Sequence, residues 1–193
     1  MQQRSPEWFA ARLGKWTASS FAALMAAPGT DAFLGLVKDK AWERMTGQPV
    51  EFYTTAAMQH GIDCEDEART WYEFETLREV SQVGFLVHPD IPTLGCSPDG
   101  LVDDGLLEIK CPQPRAHLDT LATRKLPSKY RWQVQGQMFI AARSWLDFVS
   151  YHPATGGIVI RVEANKEDAA SLAARVEVAE AKVAELISQA EAA

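Results

Sequence analysis

The 193-residue sequence has few cysteines and no long apolar run, and each shortage excludes a class of protein. Its three cysteines, Cys64, Cys96 and Cys111, are odd in number, far apart and without a C-x-x-C pair. They therefore predict neither a disulfide framework nor a zinc or iron–sulfur site. No apolar run approaches the ~18 to 20 residues that span a bilayer, and the chain opens with the polar segment MQQRSPEW rather than a leader. We expect a soluble, cytoplasmic protein without membrane association.

The sequence also lacks an excess of positive charge. A net charge of −7 argues against a protein that coats nucleic acid through a broad basic surface. It leaves room for a local groove, because basic residues gather between Arg115 and Arg131 while acids gather in GIDCEDEARTWYEFE and near the carboxyl terminus. With 47% hydrophobic residues, the chain is long enough for one well-packed core, which predicts a single domain over residues 1–193.

The order of helical and strand patterns predicts an α/β fold. SPEWFAARLG has Ser5 as a cap and Gly14 as a stop, and further helices are predicted over 32–45 and 55–77, the second interrupted near Gly61. From residue 80, VSQVGFLVHP, TLGCSPDGLV and GLLEIKCP predict consecutive antiparallel strands. PSKYRWQVQGQMFIAAR then returns to helical spacing, two more strands follow, and a long amphipathic helix starts at about 166.

The stretch CSPDGLVDDGLLEIKCPQP, residues 96–114, carries the clearest chemistry. On a strand, Glu108 and Lys110 share one face while Ile109 points into the core, and a hairpin would bring Asp99 beside Glu108. Two carboxylates and an ammonium in one small volume suit a hard divalent cation and phosphodiester hydrolysis. A solvated cross-strand charge pair and an ordinary Pro-Asp-Gly turn explain the same residues, so both interpretations stay open.

At this point the sequence resembles a known family. SPDG…LEIKCP resembles the PD-(D/E)XK signature of the exonucleases similar to phage lambda exonuclease, the YqaJ viral recombinase family. EWFAARLGKWTASSFAALMA, MQHGIDCEDEARTWYEF and YRWQVQGQMFIAARSWLDFVSYHP are similar to three further blocks of that family, in the same order over almost the full chain. The resemblance implies a restriction-endonuclease-like fold, with a central mixed sheet flanked by helices.

The resemblance also implies catalytic residues. It makes Asp99, Glu108 and the carbonyl of Ile109 metal ligands, and it makes Lys110 the residue that positions or activates the attacking water. Glu65 matches the helix carboxylate that reaches the metal site, although an acidic helix face is usually only solvated. Gln133 matches the active-site glutamine that holds water or a phosphate oxygen, although a mid-helix glutamine is usually a plain surface residue.

Further residues match the part of the family's site that selects DNA ends. Arg12, Ser19 and Ser97 match a pocket for the 5′-terminal phosphate, for which arginine and serine supply suitable donors. Without the resemblance, Ser19 would be a helix cap and Arg12 a surface charge. Met58 matches an apolar wedge that parts the two strands, although a methionine at helical spacing is more often core. APGTDAF carries no basic residue where lambda exonuclease has a longer basic loop, so grip on the strand and processivity are expected to differ.

The function that the resemblance implies is metal-dependent 5′-to-3′ digestion of one strand of linear duplex DNA from 5′-phosphorylated ends. One or two Mg²⁺ ions, or Mn²⁺ as a substitute, would serve each site, and a 3′ single strand would remain for recombination. The implied partners are a phage-type single-strand annealing protein and two further copies in a trimeric ring, inside a bacterial or phage-infected cell. A structure-specific or nicking endonuclease, or a catalytically idle DNA-end or recombinase-binding module, are the alternatives.

Overall fold

Helices and strands are interspersed along the chain in the computed structural model, which describes residues 1–50 and 55–192. The helices are α1 (Pro6–Arg12), α2 (Phe21–Leu24), α3 (Asp31–Thr46), α4 (Ala56–Thr76), α5 (Pro114–Thr123), α6 (Arg131–Ala141) and α7 (Lys166–Glu191). The strands are β1 (Trp16–Thr17), β2 (Leu86–Val87), β3 (Leu94–Cys96), β4 (Gly100–Val102), β5 (Gly105–Lys110), β6 (Trp145–His152) and β7 (Gly156–Glu163).

Local sequence explains where several helices begin and end. The Ser5 hydroxyl accepts a backbone N–H of the first turn of α1, as predicted, and Pro6 occupies the first helical position. Thr30 caps α3 in the same way, and that helix ends at Gly47 in the left-handed conformation, φ 67°. The side-chain oxygen of Asn165 accepts two N–H groups at the start of α7. These caps satisfy backbone groups that the helices themselves leave unpaired.

The strands form two sheets that position the site. The larger has the order β4-β5-β6-β7, in which β5 and β6 run parallel and the two outer pairs are antiparallel. The smaller has the order β1-β3-β2, in which β1 runs parallel to β3 and β2 antiparallel to it. Helices pack on both faces of the larger, mixed sheet, which confirms the predicted fold class.

Two sequence-based expectations are wrong in detail. Helix α4 continues through Gly61 without a break, because the buried side chains that follow it, Cys64, Ala68 and Tyr72, pack against the sheet and outweigh the ~1 kcal/mol cost of a helical glycine. The run TLGCSPDGLV is not one strand: it breaks at Pro98, which has no N–H for a strand ladder, and its two halves belong to different sheets.

Alternation along β5 decides which residues face which helix. Leu107 and Ile109 pack on the α4 side with Tyr72, whereas Leu106 packs on the α6 side with Val134. Glu108 and Lys110 therefore face α6, and Ile109 is buried, as the period of two predicts. A third core joins β1, α2, α3 and α7. The large sheet thus brings its β5 end between α4 and α6.

Two remaining features are the state of the cysteines and the character of the helices. All three cysteines are buried free thiols. In the parts of the chain that the structure describes, no helix combines the length and apolar character needed to cross a bilayer.

Candidate active site

The hairpin between β4 and β5 brings Asp99 and Glu108 together. Gly100 lies opposite Leu107, and the Asp99 N–H donates to the Leu107 carbonyl at 3.0 Å, so Asp99 lies across from Glu108. The carboxylate of Asp99 accepts the backbone N–H of Ile109 at 2.6 Å. Asp99 leads into β4 rather than ending the preceding strand, but the predicted pairing of the two acids across the hairpin agrees with this geometry.

Glu108 is almost fully enclosed, with 2% of its surface exposed. Its Oε1 lies 2.5 Å from Lys110 Nζ and accepts from Gln133 Nε2 at 2.5 Å, and its Oε2 accepts from Gln137 Nε2 at 2.6 Å. Gln133 and Gln137 are four residues apart and therefore project from one face of α6. The structure thus brings Lys110 and Gln133 to Glu108 and adds Gln137, which sequence reasoning did not select. The signal available was its i, i+4 spacing from Gln133.

The two acids influence one another's protonation. Burial raises the pKa of Asp99 well above its ordinary range, and the charge of Glu108 raises it further, against the opposing effect of Lys110. Burial alone would lower the pKa of Lys110, but Glu108 and Asp99 outweigh burial and raise it. Lys110 is therefore an ammonium in the metal-free protein, a group that donates hydrogen bonds and offsets negative charge.

Glu65 reaches the same region from α4. Its Oε1 lies 2.7 Å from Arg69 and its Oε2 lies 2.8 Å from Arg4, so both oxygens are already paired with guanidinium groups. It is not an exposed helix charge, because 18% of its side chain is accessible and it faces a cavity of about 560 Å³. Lining that cavity besides Arg4 and Glu65 are Asp99, Ile109, Lys110, Lys129 and Tyr130.

The donor types at this cavity fit a hard divalent cation. Asp99, Glu108 and Glu65 offer carboxylate oxygens, and Ile109 offers a backbone carbonyl, which are the ligands that Mg²⁺ and Mn²⁺ prefer. Burial raises the pKa of Asp99 and the charge of Glu108 raises it further; a bound cation would offset that charge. Among the described residues, no three acidic, His or Cys side chains are gathered as a ready cluster of ligands. The carboxylates of Glu108 and Glu65 are held by protein donors instead, so a cation has to exchange with some of these partners.

A second polar contact lies one residue before Pro98. Ser97 Oγ accepts from Trp8 Nε1 at 2.8 Å and lies 3.4 Å from Arg12 NH1, and the Arg12 guanidinium stacks 4.1 Å from the Trp8 ring. Burial lowers the pKa of Arg12, and within the described residues no carboxylate lies within 4 Å of it. The structure therefore brings Arg12 and Ser97, two residues of the predicted phosphate pocket, into contact. Trp8 completes the pocket, although sequence reasoning gave it no role there.

Ser19 and Met58, which were also predicted to lie at the DNA end, make no described contact with Arg12 or Ser97. Ser19 is exposed, and its hydroxyl lies 3.2 Å from that of Thr17 rather than against Arg12 or Ser97. Met58 lies in the first turns of α4, but its side chain lies outside the described part of the structure. Its role as a wedge remains a prediction.

Comparison with known proteins gives this geometry a context. The profile of the YqaJ-like viral recombinase domain matches residues 7–144. The chain belongs to that family. The matched residues include the pocket around Arg12 and the whole Asp99–Lys110 hairpin, but end short of Arg4 on the amino-terminal side. A comparison with curated proteins finds no match.

Solved structures agree with this YqaJ-like assignment. The alkaline exonuclease LHK-Exo from Laribacter hongkongensis is 37% identical, with a TM-score of 0.85 over 97% of this chain and 98% of its own. The same enzyme in complex with dAMP gives a TM-score of 0.86 at the same identity and coverage. A phage-related exonuclease from Haemophilus somnus 129PT shares the fold, with a TM-score of 0.75 at 15% identity over 91% of this chain and 96% of its own. Together with the family, the 37%-identical alkaline exonuclease supports a nuclease function.

Proposed function

We propose that this YqaJ-like chain is a metal-dependent exonuclease that digests one strand of linear duplex DNA in the 5′-to-3′ direction from 5′-phosphorylated ends. The observation that carries the proposal is the position of Asp99 between two groups of residues. On one side lies the Glu108–Lys110 network, and on the other, through Pro98, lies the Arg12–Ser97 pocket. A phosphate gripped in that pocket would lie within a few residues of the carboxylates.

In this proposal, Asp99, Glu108, Glu65 and the Ile109 carbonyl hold Mg²⁺, or Mn²⁺ as a substitute, as one or two ions. The bound ion would supply Lewis-acid stabilisation of charge that develops on the phosphate. The residues of the chain do the positioning. Lys110, held at 2.5 Å by Glu108, keeps an ammonium directed at the cavity, where it donates to the attacking water or to a phosphate oxygen.

Gln133 fixes the buried carboxylate that Lys110 contacts. Its amide N–H donates to the same Oε1 that lies beside the lysine, which limits the rotation of Glu108. We also assign a water molecule or a phosphate oxygen as a second hydrogen-bond partner of the Gln133 amide. An amide group can serve both because it donates and accepts hydrogen bonds. Gln137 supports the other oxygen from one turn further along α6.

End selection belongs to the Arg12–Ser97 pocket in this proposal. A guanidinium without a carboxylate partner within 4 Å in the described structure is suited to bind phosphate oxygens in a charge-assisted pair. Ser19, within the 3-10 turn Ala18–Ser20, completes the proposed donors, and Met58 is assigned as the wedge between the strands. The 3′ single strand that remains would serve recombination by annealing.

We also propose that three copies form a ring around DNA and act with a phage-type single-strand annealing protein in the cytoplasm. The charge distribution supports the ring. The chain carries −7 overall, yet basic residues concentrate between Arg115 and Arg131, and Lys129 of this segment lines the active-site cavity. A ring can direct that basic face inward and the acidic surface outward, where it repels duplex.

The test is digestion of linear duplexes with 5′-phosphate or 5′-hydroxyl ends, with and without Mg²⁺, beside a closed circular plasmid. We expect Mg²⁺-dependent loss of the phosphorylated duplex, slower loss of the hydroxyl form and an intact circle. Arg12→Ala should lower the cleavage rate on phosphorylated ends about ten- to a hundredfold, which is the scale of a charge-assisted contact. The ratio of the cleavage rates on the 5′-phosphate and 5′-hydroxyl substrates should therefore fall. Cleavage of the circle would instead favour a nicking endonuclease.

A further inference from the structure

The amino-terminal segment lies directly against the proposed metal site. Gln3 Nε2 donates to the carbonyl of Val83 at 3.0 Å and to that of Pro98 at 2.9 Å. Pro98 immediately precedes Asp99, so this amide fastens the segment to the backbone that presents a proposed ligand. The next residue, Arg4, is therefore held at the edge of the site rather than free at a chain end.

Arg4 adopts an unusual backbone conformation there. Its φ is 65°, in the left-handed region that residues with a Cβ seldom adopt. Leu77, Arg124 and Ala142 share it, but they lie where helices end, a common place for that conformation. Arg4 precedes a helix instead. Such a conformation persists where the surroundings impose it, and glycine would relieve it.

The Arg4 side chain pairs with one of the proposed ligands. Its NH2 lies 2.8 Å from Glu65 Oε2, while Arg69 holds the other oxygen at 2.7 Å. Arg4, Glu65 and Asp99 line both the main cavity and a neighbouring cavity of about 390 Å³. With 47% of its side chain accessible, the Arg4 guanidinium lies between these two spaces and is open to solvent.

We propose that Arg4 is a built-in counter-cation of the active site. It occupies Glu65 Oε2 in the metal-free protein and competes there with the divalent ion, so it sets the affinity of the site as a positioning residue acting through Glu65. Removal of its charge leaves Glu65 still oriented by Arg69 and makes the site more negative. This inference rests on the proposed metal-dependent function, but it concerns a residue outside the matched region 7–144.

Calorimetric titration of the metal-free protein with Mn²⁺ tests the inference without relying on catalysis. Arg4→Gly removes the guanidinium and suits the backbone at φ 65°, so we expect a folded variant that binds Mn²⁺ about two- to fivefold more tightly, the scale of a partly exposed charge pair. Arg4→Lys keeps a cation and should stay close to wild type. Arg124→Gly is the matched control: it removes the same side chain at φ 51°, away from both cavities, and should leave the affinity unchanged.

A second variant, Glu65→Gln, tests whether Arg4 affects Mn²⁺ binding through Glu65. In Glu65→Gln, the carboxylate that Arg4 is proposed to mask is absent, so Arg4→Gly should then leave Mn²⁺ affinity unaltered. Unchanged or weaker binding in Arg4→Gly, or the same gain in the Glu65→Gln background, would overturn the inference while the proposed function stands. A wild-type protein that binds no Mn²⁺ would overturn both.

Discussion

Two buried carboxylates on neighbouring strands have contrasting surroundings. Glu108 on β5 and Asp147 on β6 are one register position apart, since Leu107 lies opposite Asp147, and they are 2% and 3% exposed. They project to opposite faces of the sheet: Glu108 lies against Gln133 on α6, and Asp147 contacts Tyr72 on α4. Burial alone therefore does not distinguish them.

The Asp147 site is closed and compensated. Arg161 donates to both of its oxygens, at 2.5 and 3.0 Å, and the Tyr72 hydroxyl donates at 2.7 Å. The Trp145 ring covers the guanidinium of Arg161 at 3.6 Å. Both carboxylate oxygens accept from fixed donors, which is the arrangement that makes a buried charge structural.

Glu108 is also fully hydrogen-bonded, but a second acid lies beside it. Asp99 has its pKa raised by burial and by Glu108, and it faces a cavity instead of a packed aromatic ring. The comparison teaches that the mark of the candidate site is a pair of acids whose charge the protein only partly offsets, next to open space. A structural carboxylate lacks both features.

The largest expected effect is the loss of activity in Asp99→Asn. Several kcal/mol of transition-state stabilisation correspond to a rate lower by about a thousandfold or more. Asparagine keeps an oxygen for the Ile109 N–H and removes one of two like charges, so the metal-free free energy of unfolding should be equal to or higher than that of wild type. Initial cleavage rates and denaturant unfolding in EDTA measure the two quantities.

Residual Mg²⁺-dependent cleavage close to wild type would refute the role of Asp99 at the cation. A large loss of stability would instead place Asp99 with Asp147, as a structural acid. Because residues of one catalytic unit are not additive, Asp99→Asn combined with Lys110→Ala should be little slower than either single variant.

The reverse outcome is expected at the compensated acid. Asp147→Asn replaces the charge that Arg161 and Tyr72 contact, and the free energy of unfolding should fall by about 2–3 kcal/mol, discounted because Arg161 is 40% accessible and can be solvated. The cleavage rate of the folded fraction should change little. Thermal and denaturant unfolding, with activity measured well below the transition, separates the two effects; a catalytic loss at intact stability would contradict the comparison.

The sequence predicted the contacts within the β4–β5 hairpin better than the contacts that other parts of the chain make with it. Alternation along GLLEIK and the turn residues suffice to place Asp99, Glu108 and Lys110 together, because their contacts are local. Gln137 and Trp8 were missed because their partners, Glu108 and Ser97, are 29 and 89 residues away. The i, i+4 spacing of Gln137 from Gln133 is a local signal, but it does not identify Glu108 as the partner. The sequence also does not predict which histidines lie close together. The ring centres of His117 and His152 are 6.0 Å apart, although the two residues are far apart in the sequence.

The smallest expected effect concerns the phenol of Tyr72 at the compensated acid. Burial and the Asp147 carboxylate raise the pKa of Tyr72 above its ordinary value of about 10, so the folded protein keeps that proton longer than the unfolded chain. Its contribution to stability is complete below pH ~10 and is lost as the pH rises from there towards the folded-state pKa. Tyr72→Phe should lower the free energy of unfolding by about 1 kcal/mol at pH 7 and flatten its decline above pH ~10. Urea unfolding of both proteins at a series of pH values makes the comparison, and parallel declines would show that Tyr72 does not couple to Asp147 as the 2.7 Å contact implies.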